Sequence, residues 1–259
     1  MALLAHRYGP DIRILADPFL LTLLARIGAP ETGTAQLPQL VRSAYHRLCT
    51  DVLAHEFPVV HGRVQTRMSA TEAGAFYHGP LLCRDTRLVI GAVIRAGILP
   101  SQACYEAACE VLPPQNVRLD FLNMSRTLDE QQQVTGVRLD GSKIGGPVDD
   151  AVVLLPDPMG ATGGTLCRAV EIYRALGGRP PRAIVAMHLM VTPEAIQRLV
   201  AQHAGVRLYA GRLDRGLSPD HVLRSEPGTF PELERGLNDV QYIVPGAGGM
   251  GELLTNSWV

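Results

Sequence analysis

An α/β protein with a largely parallel sheet flanked by helices is the fold class this sequence predicts, and three observations carry it. The apolar run 151–156 stops at Asp157, and beyond a small-residue loop Leu166, Ala169, Val170, Tyr173 and Leu176 recur at helical spacing. Residues 88–93 repeat that order, with Arg95, Ala96 and Gly97 before the apolar helical segment 98–112 and its stop at Pro113 and Pro114. Residues 182–189 do so a third time, ahead of Thr192 as helix N-cap and Pro193 in the first turn. Such alternation implies right-handed crossovers, hence parallel strands with helices on both faces.

The first 36 residues place Leu20, Leu21, Leu23, Leu24 and Ile27 near helical spacing, with Gly28, Pro30 and Gly33 as breakers. This reads as a short helix and turn, an arm over the core. Over 37–57 the positions Leu40, Val41, Ala44, Tyr45, Leu48, Val52 and Leu53 form one face of an amphipathic helix that ends before Pro58. Residues 59–68 alternate as an edge strand or hairpin would, with His61 and Arg63 as exposed polar residues. Residues 117–121 read as the next strand, and from Asn123 a polar excursion runs through Gly136, Gly141, Gly145 and Gly146. A connection that long reads as a hairpin or a mobile flap over a site. After the helix that closes near His203 comes a strand over 206–210. The charged, Pro- and Gly-bearing segment 211–236 reads as an insertion or partly ordered loop. We expect one domain over 1–259, with an N-terminal helical arm and edge hairpin over 1–70, an insertion and tail over 211–259, and no internal repeat.

Composition narrows the classes of function. Of 259 residues 46% are hydrophobic and 19% charged, which excludes a mostly disordered chain. A formal net charge of -1 offers no electrostatic reason for a nucleic-acid partner. The first residues lack the order of a signal peptide and no apolar stretch is long enough to span a bilayer, so the expectation is a cytoplasmic protein with no membrane partner. The five cysteines form no C-x-x-C pair and the eight histidines no close ligand set, so no protein-held metal site is expected. Lys143 is the only lysine, which argues against a phosphate loop that needs one and leaves cationic chemistry to arginine.

The loop after strand 151–156 is the chemically informative stretch: Asp157, Pro158, Met159, Gly160, Ala161, Thr162, Gly163, Gly164 and Thr165. Loop amides and threonine hydroxyls at a helix start can donate to phosphate, while a carboxylate accepts from sugar hydroxyls. That combination suits a ribose bearing a phosphate. It does not fit the dinucleotide fingerprint, because Asp157 and Pro158 stand where the first glycine turn belongs. Arg95, where a strand gives way to a helix, is well placed to meet an anion. His188, at a strand end, reads as a packing histidine.

The segment 157–165 resembles the phosphoribosyl diphosphate motif of the type I phosphoribosyltransferases, in the Asp-Pro-Met form of the uracil phosphoribosyltransferases. Residues 93–98 resemble that family's arginine segment, where Arg95 would bind diphosphate. Met124, Ser125, Arg126 and Thr127 are similar to its second arginine segment, which opens a flexible hairpin. Gly236, Leu237 and Asn238, followed by Tyr242, Ile243, Val244, Pro245 and Gly246, resemble its base-recognition hood. The matches run in order over residues 88–254.

The resemblance implies a type I phosphoribosyltransferase-like fold with a flexible hairpin and a C-terminal base-binding hood, forming a homodimer or larger assembly. It implies transfer of the 5-phosphoribosyl group from 5-phosphoribosyl 1-diphosphate to N1 of uracil, giving UMP and diphosphate in pyrimidine salvage. Arg95, Arg126 and Asp157 would be the catalytic residues. Mg²⁺ would be the cofactor, held mainly through substrate diphosphate and ribose hydroxyls. The base would lie against Tyr242, Ile243, Val244, Pro245, Gly246, Gly248 and Gly249. The chain departs from the family at Gly249, where the family has an acid, with Glu252 close behind, and in the length of 211–236. Two alternatives therefore stand beside uracil: a different base or acceptor, and a nucleotide sensor without turnover.

Overall fold

The computed structural model describes residues 2–128 and 134–257; the side chains of residues 126, 128, 134 and 135 are not part of the description. Among those residues the main sheet has eight strands. They are β1 (Ile12–Ile14), β4 (Leu88–Ile94), β5 (Val117–Leu128), β6 (Val134–Lys143), β7 (Val152–Pro156), β8 (Met159–Gly160), β9 (Ala183–Val191) and β10 (Arg207–Leu213). Spatial order is β1-β10-β9-β7-β4-β5-β6, with β8 also paired to β9. Every pairing is parallel except β5 with β6.

Period-two alternation in the central strands separates two cores. Val152 and Leu154 face one side with Leu88, Ile90, Val185 and Met187. That side is covered by α1 (Pro18–Ile27), α2 (Leu37–Glu56) and α3 (Ile98–Cys109). Val153 and Leu155 face the other with Val89, Ile184 and Leu208, under α4 (Gly164–Arg174) and α5 (Pro193–Gln202). Each fully buried Leu, Ile or Val contributes about 1.5–3 kcal/mol, which is why both strand faces are apolar in a doubly covered sheet. Asp17 caps α1 through Phe19 N at 3.0 Å, and Thr192 caps α5 through Ala195 N at 3.1 Å.

Three expectations need correction. The N-terminal arm also supplies β1, an edge strand too short to carry a periodic signal, parallel to β10. Of the edge strand and the hairpin expected over 59–68, the structure has the hairpin: β2 (Val59–Gln65) pairs antiparallel with β3 (Phe76–Leu82) as a two-stranded sheet separate from the main one. His61 and Arg63 are exposed there as expected, with Arg63 stacked 3.6 Å over the Phe76 ring. The strand expected to stop at Phe121 continues to Leu128 and returns as β6, so the polar excursion is a long antiparallel hairpin whose tip, 129–133, lies outside the described residues. Exposed ladder positions permit polar side chains, and that concealed the strand.

Segment 211–236 is no loose loop. Its first three residues belong to β10, a short helix α6 (Asp220–Leu223) follows, and its two ends are tied together. Leu217 N donates to Arg235 O at 3.1 Å. Arg215 bonds Glu234, which is fully buried, at 2.7 Å and also donates to the carbonyls of Val222, Leu223 and Ser225. Glu234 accepts further from Tyr8 Oη at 2.6 Å and Gly228 N at 2.8 Å. The two ends carry the same pattern, Leu213-Asp-Arg-Gly-Leu217 and Leu233-Glu-Arg-Gly-Leu237.

Candidate active site

The carboxyl ends of β4 and β7, the start of α4 and the C-terminal tail enclose an open cleft of about 900 Å³. Ligand sites of open α/β sheets form at such strand ends.

Asp157 leaves β7 with its N–H donated to Met187 O at 3.0 Å, and its Oδ1 accepts from Met159 N at 3.1 Å. The loop then lies against β9 and the α5 cap: Thr192 N donates to Gly160 O at 3.0 Å and Thr192 Oγ1 to Ala161 O at 2.6 Å. Gly160 is needed for that approach, since a Cβ there would stand 2.9 Å from the His188 ring. Gly163 turns the chain into α4 with φ of 73°, a left-handed conformation that favours glycine. The first amides of α4 have no acceptor within the helix and carry the positive end of its dipole, and Thr165 and Leu166 of that first turn line the cleft.

Arg95 follows β4 after a cis Ile94–Arg95 peptide. Its Nη1 donates to Ser257 O at 2.8 Å and its Nη2 stands 3.5 Å from Glu252 Oε1. Glu252 belongs to α7 (Met250–Thr255), and its carboxylate fills the space a side chain at Gly249 would take. An acid at 249 would collide with it in this arrangement.

The tail closes the cleft through a tight turn. Leu237 bridges Ile243, and Asn238 N donates to Tyr242 O at 3.0 Å. The Asn238 side chain accepts from Val240 N and Tyr242 N at 3.2 and 2.8 Å. Glu194, in the first turn of α5, anchors the turn by accepting from Gly236 N and Leu237 N at 2.9 and 3.2 Å.

Of the residues singled out in the sequence, Arg95, Asp157, Met159, Gly160, Ala161, Thr162, Gly163, Thr165, Tyr242, Ile243, Gly248 and Gly249 line the cleft. Pro158 does not: its carbonyl accepts from Leu189 N and Met190 N and fastens the loop to β9. Gly164 faces a second cavity of about 300 Å³ behind the loop, beside Arg198. Val244, Pro245 and Gly246 also lie off the cleft. Val244 exchanges hydrogen bonds with Gly236 O and Gly216 N, and Gly246 N donates to the buried Asp214 at 2.8 Å, so their amides are already used internally. The Arg126 side chain is outside the described residues; its neighbours Met124 and Ser125 line the cleft.

The sequence reading passed over Asp239, Val240, Gln241 and Met250 as cleft residues. Only their position inside the tail could have pointed to them. His188 packs as expected, 2% exposed, yet it also borders the cleft. Its Nδ1 lies 2.7 Å from Asp157 O; a carbonyl only accepts, so Nδ1 carries the proton. Nε2 is then a lone-pair acceptor, buried and without a partner among the described residues. Burial, only partly offset by Asp157, pushes the imidazole pKa below its usual value and keeps it neutral.

Asp157, Asp239 and Glu252 line the cleft together with Arg95, yet no group of three His, Cys, Asp or Glu side chains among the described residues could hold a metal ion by itself. That donor set fits a Mg²⁺ ion carried in on a polyphosphate, with few protein ligands.

A parallel sheet whose strand ends present an acid, a glycine- and threonine-bearing loop at a helix start and an arginine after the neighbouring strand is the arrangement expected of the type I phosphoribosyltransferases, enzymes of phosphoribosyl transfer. The family model described as uracil phosphoribosyltransferase matches residues 14–230, and the chain belongs to that family. Similar proteins include uracil phosphoribosyltransferases of Burkholderia thailandensis and Burkholderia pseudomallei, 26% and 25% identical over 95% of this chain and 94% of theirs. Among solved structures, the AQ2163 protein from Aquifex aeolicus superposes with a TM-score of 0.70 at 22% identity, over 96% of this chain and 99% of that one. An adenine phosphoribosyl transferase from Trypanosoma brucei gives 0.51 at 12% identity, over 85% of this chain and 90% of its own. These two show the shared fold. Among the described residues no helix is long and apolar enough to cross a membrane.

Proposed function

We propose that this phosphoribosyltransferase acts on uracil, joining N1 to C1 of the ribosyl donor with inversion while the bond from C1 to diphosphate breaks. The N1 proton leaves to a diphosphate oxygen or water, and the products are UMP and diphosphate. The observation that carries this reading is the tail turn 236–243, held by Asn238 and Glu194 across the cleft from the 157–165 loop. A backbone turn there can read a planar pyrimidine without a general base. The uracil phosphoribosyltransferase relatives, matched along almost their whole length, support the same base.

In this reading Ala161, Thr162, Gly163, Gly164 and Thr165 hold the 5′-phosphate with amides, hydroxyls and the helix dipole. Asp157 accepts from the ribose hydroxyls, where its charge favours the cationic character growing at C1 in the transition state. Arg95, joined by Arg126 from the hairpin, meets the leaving diphosphate. Mg²⁺ bound to the donor would neutralise diphosphate charge, and Asp157 is the cleft carboxylate that would assist beside the ribose. Tyr242, Ile243, Gly248 and Gly249 border the base. We further propose a single domain over 1–259 that works as a homodimer or larger assembly in the cytoplasm.

A second base is the competing reading, favoured by Gly249 with Glu252 folded over it. Incubation with 5-phosphoribosyl 1-diphosphate, Mg²⁺ and a panel of free bases, with products identified by mass, decides between them. UMP as the main product is expected. Another nucleotide in its place would move the assignment to that base.

A further inference from the structure

Gln241 is the residue of the cleft whose conformation the fold leaves least explained. Its φ is 63°, in the left-handed region that residues other than Gly, Asn and Asp seldom adopt. The turn around it is held from both sides: Gln241 N donates to Asn238 O at 2.9 Å, and Asn238 bonds Tyr242 in both directions. The Gln241 residue lines the cleft, yet its Oε1 is buried with no hydrogen-bond partner among the described residues. A buried carbonyl oxygen left unpaired bears the full cost of its desolvation. Two penalties thus coincide at one cleft residue, and glycine would remove both.

We propose that the Gln241 carboxamide is a specificity-determining group that reads the edge of the base. The inference rests on the tail being the base site. Oε1 accepts from a ring N–H, and Nε2 donates to an adjacent ring carbonyl, the pair that the N3 edge of uracil presents. Rotation about the last side-chain bond is soft, so the amide turns to the ligand without moving the turn. Pairing with the base supplies the partner Oε1 lacks. A base with an acceptor at that edge, as cytosine has at N3, meets Oε1 with lone pair against lone pair and is disfavoured.

Titration calorimetry on the intact protein tests this with UMP, CMP, AMP, IMP and ribose 5-phosphate, comparing wild type with Gln241→Gly and Gln241→Glu. The ratio of ribose 5-phosphate Kd to nucleotide Kd isolates the base's share. Gly is compatible with φ of 63°, so folding is not at risk. The expected result is an about tenfold drop in that ratio for the tightest nucleotide in Gln241→Gly, with ribose 5-phosphate binding unchanged. Gln241→Glu, which keeps acceptors but loses the donor, is expected to weaken UMP as well. An unchanged ratio overturns the proposal. So does equal loss for ribose 5-phosphate and nucleotide, which would mark a turn-holding role. If another nucleotide binds more tightly than UMP, the uracil reading fails while Gln241 is still judged on that nucleotide. If no nucleotide outbinds ribose 5-phosphate in wild type, the tail is no base site and the inference falls with it.

Discussion

Arg95 and Glu252, far apart in sequence, stand 3.5 Å apart in the lining of the cleft, and Arg95 also donates to Ser257 O at 2.8 Å. The guanidinium that would meet diphosphate is therefore engaged by the tail. Binding diphosphate exchanges one set of charge-assisted bonds for another. Arg95→Ala is expected to weaken diphosphate at least about tenfold, from the loss of bonds worth about 1.5–3 kcal/mol. Arg95→Lys recovers little, because a point charge lacks the fork. Glu252→Gln removes the competitor, and a partly exposed pair is worth about 0–1 kcal/mol, so diphosphate is expected to bind up to about fivefold tighter. Calorimetry with diphosphate and Mg²⁺ checks all three; a weaker Glu252→Gln complex would show the carboxylate assisting the ligand.

Asp157 combines a turn bond to Met159 N with its proposed ribose role. Asn retains the acceptor for Met159 N but not the negative charge. Asp157→Asn should therefore fold normally and lose about 10²-fold in kcat, with the donor KM changing less. Steady-state kinetics at saturating base separates the two effects.

Gly163 carries φ of 73°, and a Cβ there would lie 3.1 Å from Ala195 O. Gly163→Ala should cost about 1–3 kcal/mol and lower Tm by about 2–4 °C per kcal/mol. Displacing the loop should also raise the donor KM. Thermal melts with donor kinetics test both consequences.

His188 is neutral because burial lowers its pKa below the unfolded value of 6.5. Below that pH the unfolded chain binds a proton that the folded chain resists, so stability falls as pH drops through 6.5 toward the folded pKa and is retained above it. Urea melts at pH 7.5 and 5.5 should show this loss, and His188→Gln should reduce it. His203, also lowered by desolvation, supplies the residual slope in the variant. An equal slope in the variant would remove His188 as its source.

Arg215 and Glu234 are 10% and 0% exposed, and the pair closes segment 211–236. Losing one partner strands a buried charge, which costs about 3–5 kcal/mol. Arg215→Met and Glu234→Gln should each lower Tm markedly, and the double variant should lose less than the sum of the two. Diphosphate affinity, measured well below Tm, should hold, since neither residue lines the cleft.

Strands β4, β7 and β9 with their helices were legible because a doubly covered strand is apolar throughout and its helix shows its stripe within a dozen residues. The 157–165 loop and Arg95 were legible for the same reason: strand, loop and helix start are contiguous. β1 was too short to show a period, and the far half of β5 was hidden by its polar hairpin ladder. The closure of 211–236 could not be read from the sequence, since Arg215 and Glu234 lie well apart in the chain and gain meaning only when they are seen to bond each other.

By itself the sequence determined the alternation of strands and helices, the acid-and-hydroxyl loop and the arginine at a strand end. These are local properties, set by side-chain periodicity and by backbone donors within a few residues of one another. Tertiary structure decided which tail groups face the cleft: Tyr242, Ile243, Gly248 and Gly249 line it, whereas Val244 and Gly246 give their amides to Gly236 and Asp214. It also decided that Glu252 fills the space beside Gly249, that His188 is neutral, and that Gln241 keeps an unpaired oxygen at the cleft. Each depends on desolvation and on partners distant in the chain, and neither quantity is written in any single stretch of sequence.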